Sequence, residues 1–276
     1  MSKDLSKFIN KLQTPISNTR LIYSVFITTL LIVPIILLIN KYAYDKQGKL
    51  VCDDYVLNSY LYTALGFCYI ALGVILEQRI KIIPSVAQYG GIALIIFMIV
   101  YVIIMYVLFK NIKETDPNKL ININIYYALA SIMFGIILSF TIILGSSTNV
   151  IMHAIAITIG LTFLMGYIGY KYGASFINVD FDKYLRYALY GLIIWTFIAN
   201  LFIKDIALRF LSTSVPGAII FCLLLMSYNK KLRENSEKCK VPNYPNEAIG
   251  LVIKIGNLLT DMIRILIALK VKGKRK

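Results

Sequence analysis

The sequence predicts an all-α fold, a polytopic bundle of helices that crosses a lipid bilayer seven or eight times. Three observations predict it. The chain has 276 residues, of which 58% are hydrophobic and only 16% charged, with a mean hydropathy of +0.72; a soluble domain carries about 25% charged residues. The apolar residues gather into blocks of roughly 18–23, the length that spans a hydrocarbon core of about 30 Å at about 1.5 Å per residue. The blocks also lack the strict alternation of barrel strands, so their backbone must satisfy its hydrogen bonds within helices.

The elements follow in order. A polar, basic segment of 1–20 precedes apolar blocks at about 21–40, 59–76, 89–109, 123–145, 150–170, 185–203, 210–228 and 248–269. The stretch 21–40 is too long for a cleavable leader and has no small-residue cleavage site. Turn and charge residues fill the connections: Asp45–Gly48, Pro84–Ser85, Asp116–Asn118 and Gly145–Asn149. The longest connection, Asn229–Asn246, carries Pro242 and Pro245. None is long enough to fold alone, so a single membrane domain is expected, with no internal repeat. Gly160, Gly166 and Gly169, preceded by Ala154 and Ala156, predict a smooth helix face for close neighbours. Tyr126, Tyr127, Tyr167, Tyr170, Tyr172, Tyr184 and Tyr187 sit at block ends, as an interfacial belt would.

Net charge is +15, from 29 Lys and Arg against 14 Asp and Glu. Such an excess suits anionic headgroups and loop topology. The basic tail Lys270, Lys272, Lys274, Arg275, Lys276 has no interleaved aromatics for stacking on single strands, so no nucleic-acid partner is expected. The expected partners are the lipid bilayer and other membrane proteins. With all eight blocks spanning, 13 Lys and Arg lie on the side of the N-terminus and 14 on the other, a balance on which the positive-inside rule is silent. If the last block instead dips in and returns, the balance becomes 8 against 19.

That last block differs from the rest. Lys254, Asn257, Asp261 and Arg264 fall on one narrow stripe of a helix. A charge at a bilayer centre costs on the order of 2.5–3.5 kcal/mol by insertion scales, so such a stripe faces a bundle interior or a wet cavity. The competing reading is an amphipathic helix lying in the interface with its charges in water. Asp261 and Arg264, three residues apart, can partly neutralise each other.

Enzymatic chemistry finds no support in the residues. His153, the one histidine, has no second His or Cys at metal spacing, and reads as a helix-end residue. Ser212, Thr213 and Ser214 lack a base and its orienting partner. There is no Gly-rich phosphate loop, so no cofactor and no metal is expected. Cys68 and Cys222 lie within apolar blocks as packing residues. Cys52 and Cys239 lie in loops on the same side by helix count, so a disulfide between them is compatible with an oxidising compartment.

The order and spacing of several segments resemble the Bax inhibitor/lifeguard superfamily of small membrane proteins, over roughly 59–270. Ala156–Ile157–Thr158 through Gly166–Tyr167–Ile168–Gly169–Tyr170, a polar loop with Asp180, and then Leu185–Leu189 are similar to its fourth helix and the loop after it. Ala199–Asn200–Leu201–Phe202–Ile203–Lys204 resembles the end of its fifth helix, and Pro216–Gly217–Ala218–Ile219–Ile220–Phe221 stands where the sixth has its glycine. Ile253–Lys254–Ile255–Gly256–Asn257–Leu258–Leu259, with Met262–Ile263–Arg264–Ile265–Leu266 behind it, resembles the seventh. The resemblance implies a seven-helix core, one extra N-terminal transmembrane helix with its loop at 21–58, and a basic tail at 271–276. It also implies a role in calcium homeostasis or cell-death regulation, centred in the family on two aspartates that sense protons and gate a calcium leak. Those two positions are held here by Asn229 and Lys254. Asn cannot titrate, and Lys has the wrong sign for Ca²⁺, which takes oxygen ligands. The expected central polar site is therefore Asn229, Lys254, Asn257, Asp261 and Arg264, with a muted calcium leak. A scaffold that binds partner membrane proteins, and a small-ion transporter, are the alternatives. The compartment is an endomembrane for a eukaryotic or viral chain and the plasma membrane for a bacterial one.

Overall fold

The computed structural model describes residues 18–89, 91–114, 119–145, 150–177 and 179–273. The expected turns at 116–118 and 146–149, most of the N-terminal tail and Lys274–Lys276 lie outside them. The described residues form helices α1 (Asn18–Tyr42), α2 (Tyr55–Ile80), α3 (Ile82–Gln88), α4 (Gly91–Ile112), α5 (Leu120–Gly145), α6 (Val150–Phe176), α7 (Val179–Phe202), α8 (Ile206–Glu237) and α9 (Tyr244–Gly273). Seven of them, all except α3 and α9, are long and apolar enough to cross a membrane. The chain is an integral, multi-pass membrane protein.

The helices overrun the apolar blocks. α8 continues nine residues past Tyr228, to Glu237, so Asn229 is helical and the connection to α9 is short. Its charged last turns carry i,i+4 pairs, Lys230 Nζ to Glu234 at 3.5 Å and Arg233 Nε to Glu237 at 3.2 Å, which support the helix beyond its apolar block, where Leu232 is fully buried. The Pro84–Ser85 segment, expected as a turn, lies in the short helix α3. Lys81 ends α2 at φ 59°, its N–H bonded to the Glu77 carbonyl. The Glu77 carboxylate then accepts from the backbone N–H of Ile82 at 3.2 Å and Ile83 at 2.8 Å, satisfying donors that open α3. The turn after α1 is as expected. Asp45 Oδ1 accepts from the N–H groups of Gln47 and Lys49, each at 2.8 Å, and Gly48 takes φ +77°.

Two compact units make up the chain: residues to Phe140 with Lys240–Ile249, and Thr141–Cys239 with the residues from Gly250 onward. In the first, α2 and α5 run antiparallel in close contact: a Cβ on Gly73 would strike the Ile132 carbonyl, and one on Gly135 the Ile70 carbonyl. The same unit buries a tyrosine cluster. Tyr127 is 1% exposed and its hydroxyl donates to the Tyr62 carbonyl at 2.5 Å, so it is a core residue and not part of an interfacial belt. Tyr62 stacks on Tyr244 at 5.9 Å between centroids, and Tyr55 donates to Glu247 Oε1 at 3.2 Å. Tyr167, Tyr170, Tyr172, Tyr184 and Tyr187 are exposed, as a belt requires.

In the second unit α6 and α8 run parallel. A Cβ on Gly169 would meet the Met226 carbonyl, and one on Gly173 would meet Lys230 Cβ. Gly160 meets nothing: the smooth face lies at the carboxyl end of α6, where α8 lies against it. Cys52 and Cys239 are disulfide-bonded, and Cys68 and Cys222 are free.

Candidate functional site

The second unit positions the polar residues through two glycines. A Cβ at Gly250 would meet Tyr228 Oη at 2.5 Å, and one at Gly217 would meet the Asp261 carboxylate. Eleven residues separate the two points on each helix, so α8 and the Gly250–Gly273 part of α9 run antiparallel in contact over about 16 Å. Continued at that register, the end of α9 falls level with Asp205, whose Oδ1 caps α8 through Ala207 N at 2.8 Å and Leu208 N at 3.0 Å. Lys254, Asp261 and Arg264 stand among the apolar residues of this stretch of α9. Leu251, Val252, Leu258, Ile263 and Ala268 are all fully buried. Of the stripe itself, Asp261 is buried and Lys254, Asn257 and Arg264 are half-buried.

Each residue of the stripe has a defined place. Lys254, half-buried, donates from Nζ to the Gly250 carbonyl at 3.0 Å and lies 4.0 Å from the centroid of the Tyr228 ring. Asn257, also half-buried, donates to the Ile253 carbonyl at 2.9 Å on its own helix. Asp261 is 7% exposed, set against Gly217, with Ser214 and Arg264 as the groups that act on it. Arg264 is half-buried one turn further on. Asn229 is 2% exposed and donates to the Leu225 carbonyl at 2.9 Å.

The stripe therefore divides into two places along one seam. Lys254 keeps company with Tyr228, the residue before Asn229, and Asp261 with Ser214 and Gly217. Sequence reasoning missed those partners on α8. It also missed Thr158 and Thr162 on α6, buried with hydroxyls that find no hydrogen-bond partner. Packing of Val150 and Ala154 with Ile263, Leu259 and Met262 brings the same face of α6 onto α9. Among the described residues no group of three or more His, Cys, Asp or Glu gathers to hold a metal ion, and His153 is exposed.

Residues 52–271 match the protein family described as inhibitor of apoptosis-promoting Bax1. The chain belongs to the Bax inhibitor family. The match opens between α1 and α2 and runs almost to the end of α9, so this Bax inhibitor family member carries α1 outside the matched region. A comparison with curated proteins finds no match. The seam between α8 and α9 lies wholly within the Bax inhibitor region.

Proposed function

We propose that this Bax inhibitor family protein is a non-enzymatic membrane protein of ion homeostasis or cell-death control that passes Ca²⁺ poorly and without steep pH dependence. One observation carries the reading. At the two positions that the resemblance aligns with the family's aspartates stand a buried amide, donating to the Leu225 carbonyl, and an ammonium held by the Gly250 carbonyl and the Tyr228 ring. Neither offers a carboxylate to share a proton or to ligate calcium, which takes about six to eight oxygens. An ammonium in the same seam adds repulsion for any cation.

The test is calcium release from proteoliposomes loaded with a calcium dye. The wild-type protein is expected to release little more than empty liposomes at neutral pH, and no more on acidification. Robust acid-gated release would overturn the reading. Asn229→Asp combined with Lys254→Asp puts back the two carboxyls that the resemblance implies, and acid-dependent release should then appear, since carboxyls close enough to share a proton titrate as a coupled pair.

A further inference from the structure

We propose that Asp261, Ser214, Thr158 and Thr162 form a binding site for one small monovalent cation of the sodium type, in the interior of the α6, α8 and α9 seam. This goes beyond the calcium reading, which rests on Asn229 and Lys254. Hydroxyls on buried helices ordinarily satisfy themselves by donating to the carbonyl one turn back. In this unit Thr213 does so to Arg209 O at 2.9 Å, Thr260 to Gly256 O at 3.0 Å and Ser236 to Arg233 O at 2.7 Å. Thr158, Thr162 and Ser214 do not. Their oxygens are buried and make no hydrogen bond of regular geometry, although Ser214 lies beside the Asp261 carboxylate.

Register sets Thr158 and Thr162 at the level of Ser214 and Asp261 along the seam. On α6, Gly169 lies at Met226 and Gly173 at Lys230; the same offset sets Thr158 and Thr162 level with the stretch from Val215 to Ile219, where Gly217 meets Asp261. Thr158 is also one turn from Ala154, which packs in the cluster with Ile263 and Leu259. A single carboxylate and three neutral hydroxyls make an all-oxygen set suited to a hard cation. The absent Cβ of Gly217 lets the carboxylate sit tightly between helices, which favours a small ion. Arg264 acts on Asp261 through space, so a divalent ion would leave more uncompensated charge in the interior than the seam can bear.

The experiment is equilibrium binding of radioactive sodium to the full-length protein in nanodiscs, with choline as the replacing cation. Saturable binding is expected in the wild type, and a loss of at least about tenfold in affinity in Asp261→Asn. Ser214→Ala should weaken it several-fold. Arg264→Gln should tighten it, because an opposing charge is removed. Thr260→Val, whose hydroxyl is already committed to its own helix, should leave it unchanged. Melting curves in choline establish that each variant is folded; should Asp261→Asn not fold, the wild-type isotherm and the opposite shifts of Ser214→Ala and Arg264→Gln still decide. Absence of saturable binding in the wild type, binding retained in folded Asp261→Asn, displacement by calcium more readily than by lithium, or weaker binding in Arg264→Gln would each overturn the proposal.

Discussion

The ammonium of Lys254 lies 4.0 Å from the centroid of the Tyr228 ring while donating to the Gly250 carbonyl at 3.0 Å. The ring can be there only because residue 250 has no Cβ: one would stand 2.5 Å from the tyrosine oxygen. Ionised groups within helix seams pair with other charges or with backbone carbonyls. Here the ammonium is stabilised by the Tyr228 π-face and a carbonyl of its own helix. The arrangement explains how a cation is held in the seam between α8 and α9.

Removing the ring should therefore expose the cost of that charge. Cation–π contacts contribute about 0.5–2 kcal/mol, the larger values when desolvated. Tyr228→Leu is expected to lower stability by about 1–2 kcal/mol, and Tyr228→Phe by much less. In a Lys254→Met background, Tyr228→Leu should cost little. Unfolding of the four proteins in bicelles, treated as a double-mutant cycle, measures the coupling; a coupling near zero would show that the ring merely fills space.

The sequence shows the stripe of Lys254, Asn257, Asp261 and Arg264 because one helix's period is written in its own residues. It does not show Ser214, Gly217 or Tyr228 as partners, because the register of two packed helices is set by contacts between them and leaves no period in either. The apolar blocks locate the seven helices long and apolar enough to span, yet they end early at α8, where Lys230, Arg233 and their i+4 acids carry the helix on with Leu232 as its one apolar residue. Tyr127 and Tyr167 look alike in sequence, each near a block end. The first is drawn into the core by the Tyr62 carbonyl and the second stays exposed; only tertiary contacts separate them.

Two glycines of α6 should respond differently to the same change. At Gly169 a Cβ runs into the Met226 main chain, which cannot give way as a side chain would. Gly169→Ala is expected to cost about 1–3 kcal/mol as an overpacking change. At Gly160 nothing lies within 4 Å, so Gly160→Ala should be neutral or stabilise by up to about 1 kcal/mol through helix propensity. Thermal melts of both variants in one detergent test the contrast, and equal effects would contradict the packing of α6 on α8.

Tyr55 and Glu247 set a similar test in the other unit. The Tyr55 hydroxyl donates to Glu247 Oε1 at 3.2 Å, and the glutamate is 7% exposed. Losing the donor leaves a buried acceptor short of one bond, which costs about 1–3 kcal/mol. Tyr55→Phe should lower the melting point, whereas Tyr55→Phe with Glu247→Leu should recover part of the loss, since removing both partners of a buried pair is often nearly neutral. No recovery would mean that Glu247 is held chiefly by other contacts.

The cysteines divide into two classes that alkylation can count. Cys52 and Cys239 are disulfide-bonded, while Cys68 and Cys222 are free, one buried and the other half-buried. Under denaturing conditions without reductant, iodoacetamide should modify Cys68 and Cys222 alone, and after reduction all four cysteines in the chain; intact-mass spectra resolve the two states. Disulfides persist where the compartment is oxidising, and Cys52 follows α1 while Cys239 follows α8. Both lie across the membrane from the N-terminus when the seven apolar helices and no others separate them. The N-terminus should then be accessible from the reducing side, so a protease added to sealed vesicles of cytosolic-side-out orientation should remove an N-terminal epitope tag. Protection of that tag, together with four free thiols before reduction, would reverse both the bonding and the orientation.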